Sequence, residues 1–408
     1  MADVAAVRER LRWLRELRLP IGRTPLAVVD LDRITESVDL VRRSAPHSRL
    51  TYALKASYFA PLVRSMRQAG VGVSVFSDLE LALARRAGFP PADIVYNGVG
   101  RTGRSLNDAV ESGVQVTVES MDELHALLRK RAGAARPAAI GLRVNGAHCS
   151  DIDAAVKYQV LGLPVGEVAR AADLIAGSGL RINGIGFHLF QNQVTNDAHL
   201  SYVRSLVPTL RKLAGHPAAA VTFVDVGGGF ASRLETGDQR AADTFAGIEQ
   251  EIRDRLGVDP VFELGRFLAS DAQLIVSRVV DVRSTSAGHR IVLLDASTNY
   301  LIPAPGHRFR VAPVAPEGSG DQSSPATFVD RLGSKISSHL CGRLAPGDLV
   351  VVLNCGAYTD VMKEHFVYPL PEVVAISRGS IVVTAPAGDG HDVAQYHHWH
   401  RVAEVVDQ

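Results

Sequence analysis

One lysine interrupts an apolar, strand-like stretch of the sequence. The stretch "TYALKAS" runs from Thr51 to Ser57 with Lys55 near its centre, whereas the other five lysines stand among polar or turn-forming residues. A lysine that is buried without a partner is costly, so such groups are normally paired or neutralised. We therefore expect Lys55 to carry a chemical task in the folded protein.

Other residues with chemical potential follow apolar runs further along the chain. They are His188 in "HLFQNQ", Gly227, Gly228 and Gly229 in "DVGGGF", and Glu263, Gly265 and Arg266 in "ELGR". Glycines let a backbone approach an anion closely and turn its N–H groups towards it. Taken singly, each group also has a structural explanation: a packed histidine, a flexible turn, or a surface ion pair. Their chemical meaning therefore depends on whether the fold brings them together.

A regular alternation of short apolar runs and amphipathic stretches predicts how these residues are positioned. The predicted strands cover 51–56, 71–76, 93–98, 114–119, 138–144, 182–189, 221–227 and 260–265. Continuous apolar strands separated by helices indicate a parallel sheet that is covered on both faces. Eight such repeats match an α/β fold of the (β/α)8 TIM-barrel type in number and length. A doubly wound open sheet is the alternative, although it rarely contains so many regular units.

The pattern changes after about residue 270. Strand-like runs then follow one another without intervening helices, which predicts a second, mostly β C-terminal domain over 271–408. We expect a barrel at 35–270 and an N-terminal helix and strand at 1–34 that join the β domain. The segment 304–328 is rich in Pro, Gly and Ser and is expected to form a long loop or lid.

Closure of the barrel would place the candidate residues in one mouth, because active sites of this fold lie at the carboxyl ends of the strands. Lys55 follows the first strand, and the other groups follow the sixth, seventh and eighth. Pyridoxal 5'-phosphate needs such a set. A lysine amine forms a Schiff base with its aldehyde, glycines hold its phosphate, a flat ring stacks on it, and a group at the ring nitrogen tunes its electron sink. We therefore predict pyridoxal 5'-phosphate as the cofactor.

Composition narrows the classes of function. The chain has 408 residues, of which 46% are hydrophobic and 21% charged, and a net charge of +1. These values are typical of a globular protein, and neither nucleic acid nor a membrane is expected as a partner. The three widely spaced cysteines predict a cytoplasmic protein without disulfides. No CxxC or HExxH spacing supports a metal site, and the histidines of "YHHWHRV" are expected to lie in a solvated tail.

The motifs are similar to those of a known family. The sequence resembles the fold-type III pyridoxal-phosphate-dependent decarboxylases, the diaminopimelate and ornithine decarboxylase family, whose barrel is alanine-racemase-like. "YALKAS" resembles their cofactor-lysine motif, and "HLFQNQ", "DVGGGF" and "ELGR" resemble their histidine, glycine and glutamate motifs in the same order. "NCGAYT" resembles the motif whose tyrosine, here Tyr358, reaches the cofactor phosphate. The resemblance implies that His188 stacks on the cofactor ring and that Glu263 accepts its N–H.

The chain departs from the family pattern at positions concerned with substrate and proton transfer. Where the family carries a cysteine and an acidic group that enter the partner subunit's site, this chain has Ile336 and His339, and Cys341 stands a few residues further on. Pro303 stands where an arginine often binds the substrate carboxylate. Ser74 replaces the usual aspartate on the second barrel strand.

The resemblance implies a carboxy-lyase that removes the α-carboxylate of an amino acid or of an amino-acid-derived biosynthetic intermediate. A racemase, an epimerase or another enzyme of carbanion chemistry is an alternative, but racemases of this fold typically set an arginine against the ring nitrogen, where this chain has Glu263. A regulatory relative without cofactor is a second alternative, and it would be expected to lose the motif residues. The proton donor stays open between Lys55, Cys341, His339 and water.

The same resemblance bears on assembly. Members of the family complete each site with the C-terminal domain of a partner subunit, so we expect a homodimer with shared active sites. The expected small-molecule partner is an amino acid substrate.

Overall fold

The computed structural model describes residues 4–19, 21–131, 138–145, 161–188, 192, 197–286, 288–302, 308–315, 323–385 and 387. The chain divides into two compact units, which are Thr35–Leu268 on the one hand and Met1–Ile34 with Ala269–Gln408 on the other. Within the described ranges, no helix is both long enough and apolar enough to cross a membrane. Helices and strands are numbered below in chain order.

Eight parallel strands form a closed barrel in the unit 35–268. They are β2 Arg49–Ala53, β3 Gly72–Val75, β4 Ile94–Tyr96, β5 Gln115–Val118, β6 Ala138–Asn145, β8 Leu180–Gly186, β9 Ala219–Asp225 and β10 Asp259–Leu264. The barrel closes because β10 pairs with β2 and β5 pairs with β6. A short additional strand, β7 Leu163–Pro164, pairs with β6. The predicted (β/α)8 TIM barrel is therefore confirmed, and the doubly wound alternative is wrong.

Helices follow the barrel strands along the chain. They are α2 Leu31–Ser44, α3 Ala60–Gln68, α4 Asp78–Arg86, α5 Gly103–Glu111, α6 Met121–Arg131, α7 Val165–Ile175, α8 Asp197–Ala214, α9 Arg233–Thr236, α10 Asp238–Leu256 and α11 Arg266–Ala269. The helix α4 begins where the Ser77 side chain accepts a hydrogen bond from the Glu80 N–H, and Thr102 caps α5 in the same way. Such caps satisfy N–H groups that have no partner within the helix.

The second unit is mostly β. Its strands are β1 Leu26–Asp30, β11 Gln273–Ser284, β12 Arg290–Leu294, β13 Arg310–Pro313, β14 Ser324–Val329, β15 Lys335–Cys341, β16 Leu349–Leu353, β17 Glu372–Ser377 and β18 Ser380–Ala385, and its helices are α1 Val4–Glu16 and α12 Thr359–Met362. The strand order is β15-β14-β12-β11-β1-β17-β18, with β16 pairing β11 and β13. The N-terminal strand β1 thus lies in the same sheet as the C-terminal strands, antiparallel to β11 and parallel to β17.

The segment 304–328 contains more regular structure than the sequence indicates. It was expected to be a long loop or lid, but β13 and the first part of β14 fall within it. Both strands are paired, β13 with β16 and β14 with β12 and β15. The prediction of a loop is therefore wrong for these residues, because pairing with neighbouring strands outweighs the local turn-forming composition.

Candidate active site

Lys55 lies just beyond the end of a barrel strand. The strand β2 ends at Ala53, and Lys55 is the middle residue of a 3-10 turn, Leu54–Ala56. Its side chain is exposed, whereas Leu54 and Ala56 on either side are buried. The ammonium group lies 4.5 Å from the centre of the Phe76 ring, a distance that allows a cation–π contact. The lysine is therefore presented from the strand end rather than buried within the strand.

Glu263 is buried near the end of the neighbouring strand β10, at 7% exposure. The Ser74 hydroxyl donates to Glu263 Oε1 at 2.6 Å, and the Asn97 side-chain amide donates to the same oxygen. Hydrogen bonds to a charged acceptor are stronger than those between neutral groups. Two strands, β3 and β10, and the loop after β4 thus converge on one carboxylate.

A buried arginine lies beside this carboxylate. Arg143 on β6 forms an ion pair of 2.7 Å with Glu119 and stands 3.6 Å from Glu263 Oε2. It also donates to the backbone carbonyl of Asn97 at 3.3 Å. The Glu119 and Arg143 side chains are only 2% and 4% exposed, so their interaction is weakly screened by solvent.

Two further carboxyl groups of this cluster have raised pKa values. Burial raises the pKa of Glu119 to about 7, against the opposing attraction of Arg143. Burial, and then repulsion from Glu263, raise the pKa of Asp225 well above its usual range. The N–H of Gly227 donates to Asp225 Oδ1 at 2.8 Å. Because one guanidinium faces three carboxyl groups, protonation of the more strongly desolvated ones relieves the repulsion.

The glycine triplet allows β9 to approach its neighbours closely. A Cβ atom on Gly227 would stand 2.6 Å from His188 Nδ1, and one on Gly228 would stand 2.4 Å from the Glu263 carbonyl oxygen. The Gly228 N–H donates to His188 Nδ1 at 3.1 Å, which fixes the orientation of the half-buried imidazole ring. Gly227 and Gly229 have φ angles of +70° and +96°, which favour glycine.

The barrel therefore brings most of the predicted site residues together. Gly265 follows Glu263, and a Cβ atom on it would stand 3.3 Å from Ala56 Cβ, beside Lys55. Arg266 is buried at the start of α11. The carboxyl ends of adjacent strands thus carry a continuous series of neighbours, namely Lys55, Glu263, the glycine triplet and His188. This is the arrangement that the predicted cofactor site requires.

Tyr358 belongs to the other unit and stands at a strained turn. Its φ angle is +68°, and that of Asn354 is +71°, which are unusual values for residues with a side chain. A Cβ atom on Gly356 between them would stand 1.7 Å from the Ala269 carbonyl oxygen, so only glycine fits there. Strained turns of this kind often carry functional side chains; the role of Tyr358 stays a prediction.

Two of the candidate proton donors, His339 and Cys341, lie on β15 in the β unit. Cys341 is 3% exposed and, with Ile336, belongs to the hydrophobic core of this unit. His339 stacks on Phe328, and its ring nitrogens hydrogen-bond with Ser337 Oγ at 3.1 Å and the Val311 carbonyl at 2.8 Å. Burial lowers the pKa of His339 to about 4, with a further contribution from Arg310. Pro303 and the histidines of "YHHWHRV" lie outside the described residues.

Sequence reasoning did not find Arg143, Glu119, Asp225 or Asn97. Arg143 interrupts the apolar run "AAIGLRV" as Lys55 interrupts its own run. The argument that a buried cation needs a partner would therefore have identified it. Glu119 ends a predicted strand and Asp225 stands in "DVGGGF", so their positions at the barrel mouth were implied although their chemistry was not considered.

Pyridoxal phosphate fits the groups that are present at this mouth. Gly227 and Gly228 pack directly against His188 and the Glu263 backbone carbonyl, where a Cβ atom would clash. The donor set combines a lysine amine, an oriented imidazole and a buried carboxylate that receives two hydrogen bonds, which are the groups that this cofactor needs. Fold and site together define a barrel enzyme of the pyridoxal-phosphate-dependent class.

Comparison with known proteins specifies the family. The profile of the family "Pyridoxal-dependent decarboxylase, pyridoxal binding domain" matches residues 31–270. The chain therefore belongs to the pyridoxal-dependent decarboxylases, which confirms the predicted family and cofactor.

Similar proteins cover nearly the whole chain. A diaminopimelate decarboxylase of Aquifex aeolicus is 26% identical over 90% of this chain and 90% of its own length. An L-glutamyl-[BtrI acyl-carrier protein] decarboxylase of Niallia circulans is 27% identical over 91% of this chain and 92% of its own. The crystal structure of a diaminopimelate decarboxylase from Helicobacter pylori complexed with L-lysine has a TM-score of 0.80 at 21% identity, covering 95% of this chain and 100% of that one. That structural similarity supports the fold.

Proposed function

We propose that this decarboxylase removes the α-carboxylate of an amino acid or of an amino-acid-derived biosynthetic intermediate. The observation that carries the proposal is the environment of Glu263, which is buried and receives hydrogen bonds from Ser74 and Asn97 on one oxygen. A carboxylate held in this way would accept a hydrogen bond from the N–H of the cofactor ring nitrogen and so stabilise the positive charge on that ring. A racemase would be served better by a cationic partner at that position.

The remaining residues of the mouth take complementary roles in this proposal. When bound, pyridoxal phosphate supplies the sink for the electrons that remain after carbon dioxide leaves. Lys55 would hold the cofactor through its exposed amine, and the His188 ring, oriented by the Gly228 N–H, would lie against the cofactor ring. The glycine triplet, Gly265, Arg266 and Tyr358 would bind the phosphate, as the family resemblance implies.

The α-carbon must receive a proton once carbon dioxide has left. Ile336 cannot donate one, Cys341 is enclosed in a hydrophobic core, and both ring nitrogens of His339 are engaged within the β unit. Lys55 carries an exposed amine at the barrel mouth. We therefore favour Lys55, or a water molecule held there, as the donor of this proton.

The substrate is proposed by class. Relatives over most of the chain act, by their names, on diaminopimelate and on a glutamyl group carried by an acyl-carrier protein. Both substrates are α-amino acids that differ beyond the α-carbon. The shared chemistry is therefore loss of the α-carboxylate, and the part of the substrate beyond the α-carbon is what an assay must vary.

We further propose a cytoplasmic homodimer in which each active site is shared between two subunits. Support comes from the family resemblance and, for the compartment, from Cys341 and Cys355, neither of which forms a disulfide among the described residues. Sedimentation of the purified protein tests the assembly, and a fully active monomer would contradict it.

The decarboxylation proposal is tested with a panel of free amino acids and of glutamate derivatives whose side-chain carboxyl group is a thioester and whose α-carboxylate is free. Purified protein supplied with pyridoxal phosphate is incubated with each compound, and carbon dioxide and the amine product are measured by mass spectrometry. We expect both from at least one substrate, and neither from Lys55→Ala. Exchange of the α-proton without carbon dioxide would instead indicate a racemase.

A further inference from the structure

Ser74 makes a short contact with Glu263. It is buried on β3 at 6% exposure. Its hydroxyl donates to Glu263 Oε1 at 2.6 Å and lies 3.4 Å from Asn97 Oδ1. A hydroxyl supplies a hydrogen-bond donor without charge, whereas an ionised aspartate is only an acceptor.

The charges around Glu263 explain why a neutral donor suits this place. Arg143 faces Glu263 at 3.6 Å, but its closer partner is Glu119 at 2.7 Å. Asp225 also interacts electrostatically with both Glu263 and Arg143. One guanidinium therefore serves three carboxyl groups, and a further carboxylate at position 74 would add repulsion in a poorly hydrated site.

The donors on Glu263 distinguish it from the other two carboxyl groups. Glu263 Oε1 receives both the Ser74 hydroxyl and the Asn97 amide. Glu119 has one buried oxygen, Oε2, without a hydrogen-bond partner among the described residues. Two donors therefore fix the Glu263 carboxyl group, whereas Glu119 keeps one oxygen without such a contact in the described part of the chain.

We propose that Ser74 is a positioning residue that holds the Glu263 side chain in its orientation at the barrel mouth. Its effect on the reaction rests on the proposed function, in which Glu263 serves the cofactor ring nitrogen. The effect on Glu263 itself is a property of the protein alone and is measurable without cofactor.

The test is a double-mutant cycle in the cofactor-free protein. Unfolding by urea is followed for wild type, Ser74→Ala, Glu263→Gln and the double variant. Arg143, Glu119 and Asp225 also face Glu263, and the cycle cancels contributions that do not depend on the pair. Because the Ser74 hydroxyl donates to Glu263 Oε1, its removal should cost more unfolding free energy when Glu263 is present than in Glu263→Gln.

We expect the coupling to change the unfolding equilibrium constant roughly tenfold, and Ser74→Thr, which retains the hydroxyl, to restore it. Ser112→Ala is the matched control, because it removes a hydroxyl that accepts from Arg85 on an exposed part of the same unit; it should show no coupling to Glu263→Gln. A coupling that is absent, or that Ser112→Ala shows equally, would overturn the inference.

A cofactor-binding measurement extends the test to the site. Ser74→Ala should weaken the equilibrium binding of pyridoxal phosphate roughly tenfold in the wild-type background and hardly at all in Glu263→Gln. Ser74→Asp should weaken it further, because a second negative charge then faces Glu263. The outcomes separate the two claims: coupling between Ser74 and Glu263 without any decarboxylation supports the inference on Ser74 while the proposed function fails, and decarboxylation without that coupling does the reverse.

Discussion

Replacement of Gly227 by alanine tests whether the glycine triplet is required for close approach or only for turning. Gly227 has a φ angle of +70°, and an alanine in this conformation costs about 1–2 kcal/mol. Its Cβ would stand 2.6 Å from His188 Nδ1 and 2.7 Å from the Phe187 carbonyl oxygen. Because one of these neighbours is backbone, the strand end must move, and overpacking typically costs a further ~1–3 kcal/mol. We expect Gly227→Ala to lose about 2–5 kcal/mol of unfolding free energy.

The chain provides a matched control for the turn alone. Gly257, which ends α10, has a φ angle of +68°, and a Cβ atom there would meet nothing within 4 Å. Gly257→Ala should lose only the conformational part, about 1–2 kcal/mol, and should bind pyridoxal phosphate normally. Gly227→Ala should bind it at least roughly tenfold more weakly, because His188 is displaced. Equal stability losses in urea unfolding, with normal cofactor binding by both variants, would refute the close-approach reasoning.

Two further predictions concern pH. Burial raises the pKa of Glu119 from 4.5 to about 7. As the pH rises, the unfolded chain therefore loses this proton at a lower pH than the folded protein does. The unfolding free energy of wild type should therefore fall relative to Glu119→Gln between about pH 4.5 and pH 7, by roughly 3 kcal/mol, in urea titrations; a constant difference would contradict it. The pKa of His339 is lowered from 6.5 to about 4, so its NMR ring signals should show a neutral imidazole down to about pH 5, and an ordinary histidine titration would refute its burial.

The sequence predicts the barrel well because the pattern of apolar residues in its strands is easy to recognise. Each parallel strand is covered on both faces and reads as a continuous apolar run between turn residues, so all eight were found. The β unit is harder to predict. β13 and β14 are paired although they lie in a segment rich in Pro and Gly, and such pairing depends on partners far away in the sequence.

The candidate site shows the same limit. Lys55, His188, the glycine triplet and Glu263 were found because each stands at the end of a predicted strand. Ser74 was noted in the sequence, but its contact with Glu263 was not predicted, and Asn97 was not noted at all. Both become donors to Glu263 only when barrel closure brings their side chains close to it. Arg143 could have been found by the reasoning applied to Lys55, since it is a cation within an apolar run.

The most direct test of the central claim is to locate the cofactor on the chain. The protein is supplied with pyridoxal phosphate, reduced with borohydride, digested and analysed by peptide mass spectrometry. We predict a covalent adduct on Lys55, absent from Lys55→Ala and unchanged in Lys130→Ala, which removes an exposed lysine of α6. A stable adduct on a different lysine, or none in the wild-type protein, would contradict the assignment of this barrel mouth as a pyridoxal phosphate site.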